Sequence, residues 1–397
     1  MMEIKQTKRE AMSGDEAIAN ALALVNPDVV PAYPITPQTI IVERFSDYWA
    51  DGLVDTEFVH VESEHSAMSA SVGAASTGAR VFTASSSQGI ALMYEILFIA
   101  AGNRLPIVMA VANRALSSPI NIHAELTDQL VTRDTGWISL FGGSSQEAYD
   151  QTIISFAISE HKDVMLPTMY GVEGFIVSHA IEPVEPLTKS FVQDFLGEKR
   201  HFDWAFRPNS EGSQGMLALP DFYMELKHQQ VEAMDNARKI IPQVYKKFGD
   251  ATGRYYNNIE TLMMEDADYA LIGMGAISGT IEETVKILRS QGEKVGLIKI
   301  RTFRPFPVDE FTTILKNIKG AMVFDRSLTF GAPSSIIYAD IASSFISTRT
   351  PAPLISSRIV GIGGRDVSVM DINDIFSLLK KDVETDKPSH SWWNVRS

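Results

Sequence analysis

Short apolar runs alternate with stretches of helical spacing through the first half of the chain, which predicts strands and helices in turn. Val29–Ala32, Phe58–Val61, Ala79–Ala84, Leu105–Val111 and Val164–Met169 read as buried strands bounded by turn residues. Ser13-x-x-Glu16 is a capping box that opens a helix through Val25. Further helices are predicted over Gln38–Ala50 with Pro37 as first residue, along the small-sided run Ala67–Ala75, over Ile90–Gly102 and over Gln146–Glu160. Regular patterning fades over 181–220, predicting a meandering segment, and 221–247 reads as a long bridging helix. A second series follows, with strands at 269–272, 295–300 and 320–324 and helices at 280–290 and 308–318. Such alternation predicts an α/β protein with a doubly wound parallel sheet over 1–258 and a smaller α/β domain over 259–397.

Composition narrows the function. A chain of 397 residues exceeds a typical single core. Its net charge of -14 argues against a binder of nucleic-acid phosphates. No apolar run reaches the roughly 20 residues of a membrane span, and residues 1–10 lack the apolar core of a secretory signal, so the expected location is cytoplasmic. With zero cysteines the chain holds no disulfide, cysteine-ligated zinc or cysteine-held iron–sulfur cluster. Electrons, if any are transferred, must be carried by another subunit.

Candidate chemistry gathers where strands end. Thr36 follows the first strand between two prolines, Glu64 follows the second, and Arg114 follows the fourth. In a parallel sheet these ends share one edge, where α/β proteins bind ligands. Arg114 reads equally as a carboxylate receptor and as the partner of an internal acid such as Asp128. His60, Glu62 and Glu64 would share a face of an extended strand, yet one strand face rarely closes a metal shell, so no metal is expected here. Gly273-x-Gly275-x-x-x-Gly279 departs from dinucleotide spacing, and Lys299-Ile300-Arg301 stands where a ribose-binding acid would be, so it reads as a tight structural turn.

Tyr33-Pro34-Ile35-Thr36-Pro37, Val61-Glu62-Ser63-Glu64-His65-Ser66-Ala67, Ser86-Ser87-Gln88-Gly89 and Asn113-Arg114-Ala115-Leu116-Ser117 together resemble the α subunit of 2-oxoacid:ferredoxin oxidoreductases, in the pyruvate synthase branch. The resemblance extends from about Gly14 to Gly364 and includes Asp221–Lys227 and Arg301-Thr-Phe-Arg-Pro-Phe-Pro. It implies a pyrimidine-type thiamine diphosphate-binding domain followed by a transketolase carboxyl-terminal-like domain. It implies oxidative decarboxylation of a small 2-oxoacid, pyruvate to acetyl-CoA, with electrons passed to ferredoxin. Glu64 would hydrogen-bond the cofactor's ring nitrogen, with Pro34, Ile35, Ser87 and Gln88 also at the cofactor, and Thr36 and Arg114 would bind substrate.

The family's Gly-Asp-Gly diphosphate and magnesium motif is missing from this sequence. The resemblance therefore implies a β subunit supplying the diphosphate and Mg2+ site and a [4Fe-4S] cluster. It also implies an iron–sulfur ferredoxin-like subunit, a γ subunit, and coenzyme A as a reactant. One segment departs from the pattern: after Asn121-Ile122 the chain reads His123-Ala124-Glu125-Leu126-Thr127-Asp128. Its open roles are shaping the pocket, contacting coenzyme A or meeting a partner. The departure keeps oxalate, without coenzyme A, and phenylglyoxylate open as substrates. A non-catalytic scaffold and a lone nucleotide-dependent dehydrogenase are the competing classes.

Overall fold

The computed structural model describes residues 8–197, 206 and 213–396. Among them, a seven-stranded sheet runs in the order Thr302–Arg304, Ile138–Phe141, Thr168–Glu173, Ile107–Asn113, Val81–Ser85, Val29–Ala32, Glu57–His60. All its pairings are parallel except that of Thr302–Arg304. A six-stranded sheet runs His390–Trp392, Leu354–Ile359, Gly320–Asp325, Tyr269–Met274, Val295–Ile300, Ile259–Leu262, parallel except for the last strand. This is the α/β, doubly wound architecture that the alternating pattern implies.

Burial on both faces makes the strands of the first sheet almost uniformly apolar: Ile107–Asn113 and Val81–Ser85 are buried at every position. Helices Gly14–Val25, Thr39–Ala50, Ser145–Ser159 and the distal half of Pro220–Thr252 pack one face. Glu64–Ser76 and Tyr94–Gly102 pack the other. The chain leaves Val29–Ala32 toward one neighbour, Glu57–His60, and returns on the other side as Val81–Ser85. That reversal makes the carboxyl ends of Val29–Ala32 and Val81–Ser85 the switch point of the sheet, where connections depart to opposite faces and α/β proteins bind ligands.

Several boundaries differ from the pattern. Pro37 does not begin a helix: Thr36, Pro37 and Gln38 form a turn and the helix starts at Thr39. The run expected as a strand at 164–169 lies four residues early; Val164 and Leu166 are buried outside the strand, and sheet pairing begins at Thr168. The expected helix 90–102 breaks at Met93 into Ser87–Leu92 and Tyr94–Gly102. The meandering segment 181–220 contains a strand, Glu182–Val184, paired antiparallel with Glu10–Met12, and a helix, Lys189–Leu196. Its residues 198–205 and 207–212 lie outside the described residues. The bridging helix is longer than 221–247, covering the 33 residues Pro220–Thr252.

The sheets are stitched together. Thr302–Arg304, which follows a strand of the second sheet, pairs with Ile138–Phe141 of the first. Beside it Arg301, fully buried, bonds Glu147 from the first layer and Glu260 from the second, with its guanidinium 4.5 Å from the Tyr256 ring centroid. Burial pushes the Glu147 carboxyl up, but the Arg301 and Lys299 charges outweigh this and hold it well below the usual carboxylate range. The aromatic tail docks on its own chain: His390–Trp392 adds to the second sheet, and Trp393 Nε1 donates to Asp371.

Candidate active site

The loop after Val29–Ala32 is pinned by Gln38, which no sequence signal singled out. Its buried amide accepts from Ile35 N at 3.2 Å and donates to the Ala84 carbonyl at 2.8 Å, tying the two strand ends at the switch point. Pro34 and Thr36 are thereby left exposed on the loop, with Ile35 half-buried between them.

Glu64 is placed by a helix start. The strand stops at His60, so the alternation that would align His60, Glu62 and Glu64 ends before Glu64. Ser63 caps the helix Glu64–Ser76, accepting from Ser66 N, and Glu64 is its first residue. Glu62 turns to solvent and accepts from Ser66 Oγ at 2.5 Å. Glu64 is nearly buried, at 7% exposure, and its side chain has no hydrogen-bond partner among the described residues. It faces Gly89: a β-carbon there would stand 2.7 Å from Glu64 Cγ and 2.9 Å from Oε1. Ser85 Oγ and Gln88 Nε2 are buried nearby along the same chain turn and are likewise without a partner among the described residues. Unpaired polar groups of this kind cost free energy unless a ligand satisfies them.

Arg114 and Thr36 are brought together. Arg114 Nη1 donates to the Thr36 carbonyl at 2.8 Å and Nε to the Asn121 carbonyl at 3.3 Å. The guanidinium makes no ion pair with Asp128. Asp128 instead holds the backbone: Oδ2 accepts from Arg114 N and Ser87 N, each at 2.9 Å, and Oδ1 from Asn113 Nδ2 at 2.9 Å and Gln129 N at 2.8 Å. Burial pushes its carboxyl up to about 6, a rise those four donors restrain. Arg114 is itself lowered by burial, which the Asp128 charge opposes. Ser87 is fully buried at φ 46° with its hydroxyl against the Ala115 carbonyl, so its contribution to the site is backbone placement.

The divergent segment meets the second layer of its own chain. Asn121 Nδ2 donates to the Gly363 carbonyl at 3.1 Å, Gly364 N to Ala124 at 3.0 Å, and Leu126 N to Arg326 at 2.8 Å. The Gly273–Gly279 turn is filled from the first layer: Glu173, fully buried, accepts from Ala276 N, and also bonds Arg326 at 3.0 Å. A β-carbon on Gly275 would stand 2.5 Å from Glu173 Oε2, so the glycine serves this contact. Among the described residues no group of three or more His, Cys, Asp or Glu could hold a metal ion.

The fold defines an α/β protein with a doubly wound, mostly parallel sheet. Residues 20–246 match the family model described as pyruvate flavodoxin/ferredoxin oxidoreductase, thiamine diphosphate-binding, and 267–372 match pyruvate:ferredoxin oxidoreductase core domain II. The chain belongs to the pyruvate flavodoxin/ferredoxin oxidoreductase family. It is 47% identical over 369 residues to pyruvate synthase subunit PorA of Thermotoga maritima, covering 93% of this chain and 94% of the relative. It is 41% identical over 391 residues to ketoisovalerate oxidoreductase subunit VorA of Pyrococcus horikoshii, covering 98% of each. In fold it resembles a 2-oxoglutarate:ferredoxin oxidoreductase from Magnetococcus marinus (TM-score 0.70, 17% identity, 94% of this chain and 65% of that one). A split-gene transketolase also shares the fold (TM-score 0.56, 11% identity, 94% of this chain and 99% of that one).

Proposed function

We propose that this chain is the α subunit of a multi-subunit pyruvate:ferredoxin oxidoreductase that decarboxylates pyruvate oxidatively to acetyl-CoA and carbon dioxide. The observation that carries the reading is Glu64, nearly buried and without a side-chain partner among the described residues at the switch point of the sheet, with Arg114 and Thr36 gathered at the same sheet edge. The orphaned Ser85 and Gln88 atoms fit a polar-edged group such as the aminopyrimidine of thiamine diphosphate, and the glycine at 89 leaves room for the Glu64 side chain beside them. Bound thiamine diphosphate supplies a nucleophilic carbon and an electron sink for decarboxylation.

This chain's residues do the rest of what is assigned to it. Glu64 would hydrogen-bond a ring nitrogen of the cofactor, its carboxyl oxygen holding the proton shared there. Pro34 and Ile35 present the loop backbone, and Ser87 and Gln88 the helix start, that border the ring. Arg114 offers the guanidinium edge left over from the Thr36 and Asn121 carbonyls to the substrate carboxylate as a charge-assisted hydrogen bond. The exposed Thr36 hydroxyl orients the oxo group.

Partner subunits complete the enzyme in this reading. A β subunit contributes the diphosphate and Mg2+ site and a [4Fe-4S] cluster, and γ and ferredoxin-like subunits relay electrons to ferredoxin. Exposed Leu92, Phe98 and Ile99 beside the small-sided helix, and Phe222, Tyr223 and Met224 on the long helix, support a surface covered by other chains. The proposed compartment is the cytoplasm; no helix among the described residues is long and apolar enough to cross a membrane.

The test is Glu64→Ala in the co-purified complex. Assembly should be retained while 2-oxoacid-dependent ferredoxin reduction falls by about 10²-fold or more. A fully active variant would overturn the mechanism. The 41% identity to VorA over nearly the whole chain makes 2-oxoisovalerate the second substrate reading. Comparing kcat/KM for pyruvate, 2-oxoisovalerate, oxalate and phenylglyoxylate, with and without coenzyme A, decides among them.

A further inference from the structure

The substrate-side arginine is held from outside its own sheet. Arg114 Nε leans on the Asn121 carbonyl, and the Asn121 side chain is fixed at both ends: Nδ2 donates to Gly363 O at 3.1 Å, and Oδ1 accepts from His123 N at 2.7 Å. Gly363 lies 242 positions away, in the turn that follows the second-sheet strand Leu354–Ile359. That turn is built for close approach. Gly361, Gly363 and Gly364 have φ of 64°, 65° and 77°, a region that L side chains rarely occupy. A β-carbon on Gly363 would lie 2.5 Å from Asn121 Nδ2, and one on Gly364 would lie 2.5 Å from His123 Cβ. Two glycines therefore let one backbone settle directly onto the segment 121–124.

We propose that Asn121 and the turn Gly361–Gly364 form a positioning element that fixes the Arg114 guanidinium over Thr36 and so sets how tightly the substrate carboxylate is gripped. The inference rests on the reading of Arg114 as carboxylate receptor and adds what fixes it. Arg114 has one short anchor, Thr36 O at 2.8 Å, and one long anchor, Asn121 O at 3.3 Å. The first pins the head of the guanidinium; the second sets its rotation about that pin. Displacing Asn121 would therefore rotate the free edge of the fork while leaving the fold's apolar cores untouched, since Asn121 belongs to none of them. Asn121, Gly363 and Gly364 thus become positioning residues, acting through Arg114 and not on the reacting atoms.

Asn121→Ala removes the donor of the tie, and Gly363→Ala forces the tie apart by setting a β-carbon against Asn121 Nδ2. Both are made in the co-purified complex and read in two ways. Steady-state kinetics should show KM for the 2-oxoacid raised about tenfold with kcat changed less than about threefold, the pattern of a binding interaction loosened in ground and transition states alike. Labelling by 2,3-butanedione, followed residue by residue by peptide mass, should show Arg114 modified several-fold faster than in the parent, with the exposed Arg44 unchanged as control. Unchanged Arg114 labelling in both variants, or faster labelling with unchanged KM, overturns the proposal. The labelling needs no turnover. A parent complex inactive on every 2-oxoacid would therefore sink the functional reading separately, and the labelling would still decide whether the turn positions Arg114.

Discussion

Arg114 and Thr36 stand 78 positions apart in the chain, yet the Arg114 Nη1 donates to the Thr36 carbonyl at 2.8 Å. The bond reaches across the end of Val81–Ser85, which lies between their strands in the sheet. It fixes a cation beside Thr36, at the same sheet edge as Glu64, whose side chain has no partner among the described residues. A lysine cannot reproduce it, because one ammonium cannot span the Thr36 and Asn121 carbonyls and still present two donors in a plane. Arg114→Lys should lower kcat/KM for the 2-oxoacid by roughly 10²-fold, about 2–3 kcal/mol, mostly through KM. Complex assembly, followed by size-exclusion chromatography, should be unchanged.

Asp128 governs the same site from beneath. Its two oxygens accept four N–H donors, two of them the backbone amides of Ser87 and Arg114. Asp128→Asn replaces one acceptor oxygen by an NH2 that faces donors, leaving buried N–H groups unsatisfied at a cost of about 1–3 kcal/mol each. Activity should fall at least tenfold although the side chain keeps its size. With the carboxyl pushed up to about 6, lowering the pH through that value adds an O–H that displaces one donor. The kcat/KM profile should therefore carry an acid limb near pH 6, and Asp128→Asn should flatten it.

The sheets were largely legible in the sequence, and the site was legible in its parts. Strands buried on both faces read as apolar runs, so Ile107–Asn113 and Val81–Ser85 stand out from their neighbours. The same rule misplaces Thr168–Glu173, because Val164 and Leu166 are as buried as strand residues while lying outside the ladder. Thr302–Arg304 is invisible locally: three residues carry no period, and their partner strand lies far back in the chain. Thr36, Glu64 and Arg114 could be picked out because they follow strands. Gln38 could not, since its partners are backbone groups from separate loops whose convergence is a tertiary event, and Asp128 was legible only as an ion-pair partner of Arg114, a pair it does not make. Asn121 likewise carries no signal until the turn at Gly363 is folded against it.

Arg301 offers a test of how the two layers hold together. It is fully buried between Glu147 and Glu260, so Arg301→Met would leave those two carboxylates with Lys299 alone between them. Breaking a buried pair from one side costs about 3–5 kcal/mol. Urea unfolding should show that loss at neutral pH. The Glu147 carboxyl is depressed in the fold, so its contribution is present above its unfolded value of about 4.3 and fades as pH falls below it. The penalty of Arg301→Met should shrink in the same window.

Asp15 gives the opposite sign. It is fully buried in the first turn of Gly14–Val25, and neither carboxylate oxygen has a partner among the described residues. Burial, reinforced by the neighbouring Glu16, raises its pKa well above the usual value. Between the unfolded value of about 3.9 and the raised folded one, the folded state keeps a proton that the unfolded chain has released. Stability contributed by this group is therefore complete below pH 4, falls as pH rises through that interval, and is constant beyond it. Asp15→Asn resembles the protonated acid at every pH and removes the penalty. At pH 8 the variant should be more stable than the parent by about 1–3 kcal/mol. At pH 4 the two should unfold together. Paired thermal melts of the complex at those two values check the sign, and a parent more stable than Asp15→Asn at pH 8 would show that the carboxylate is paired.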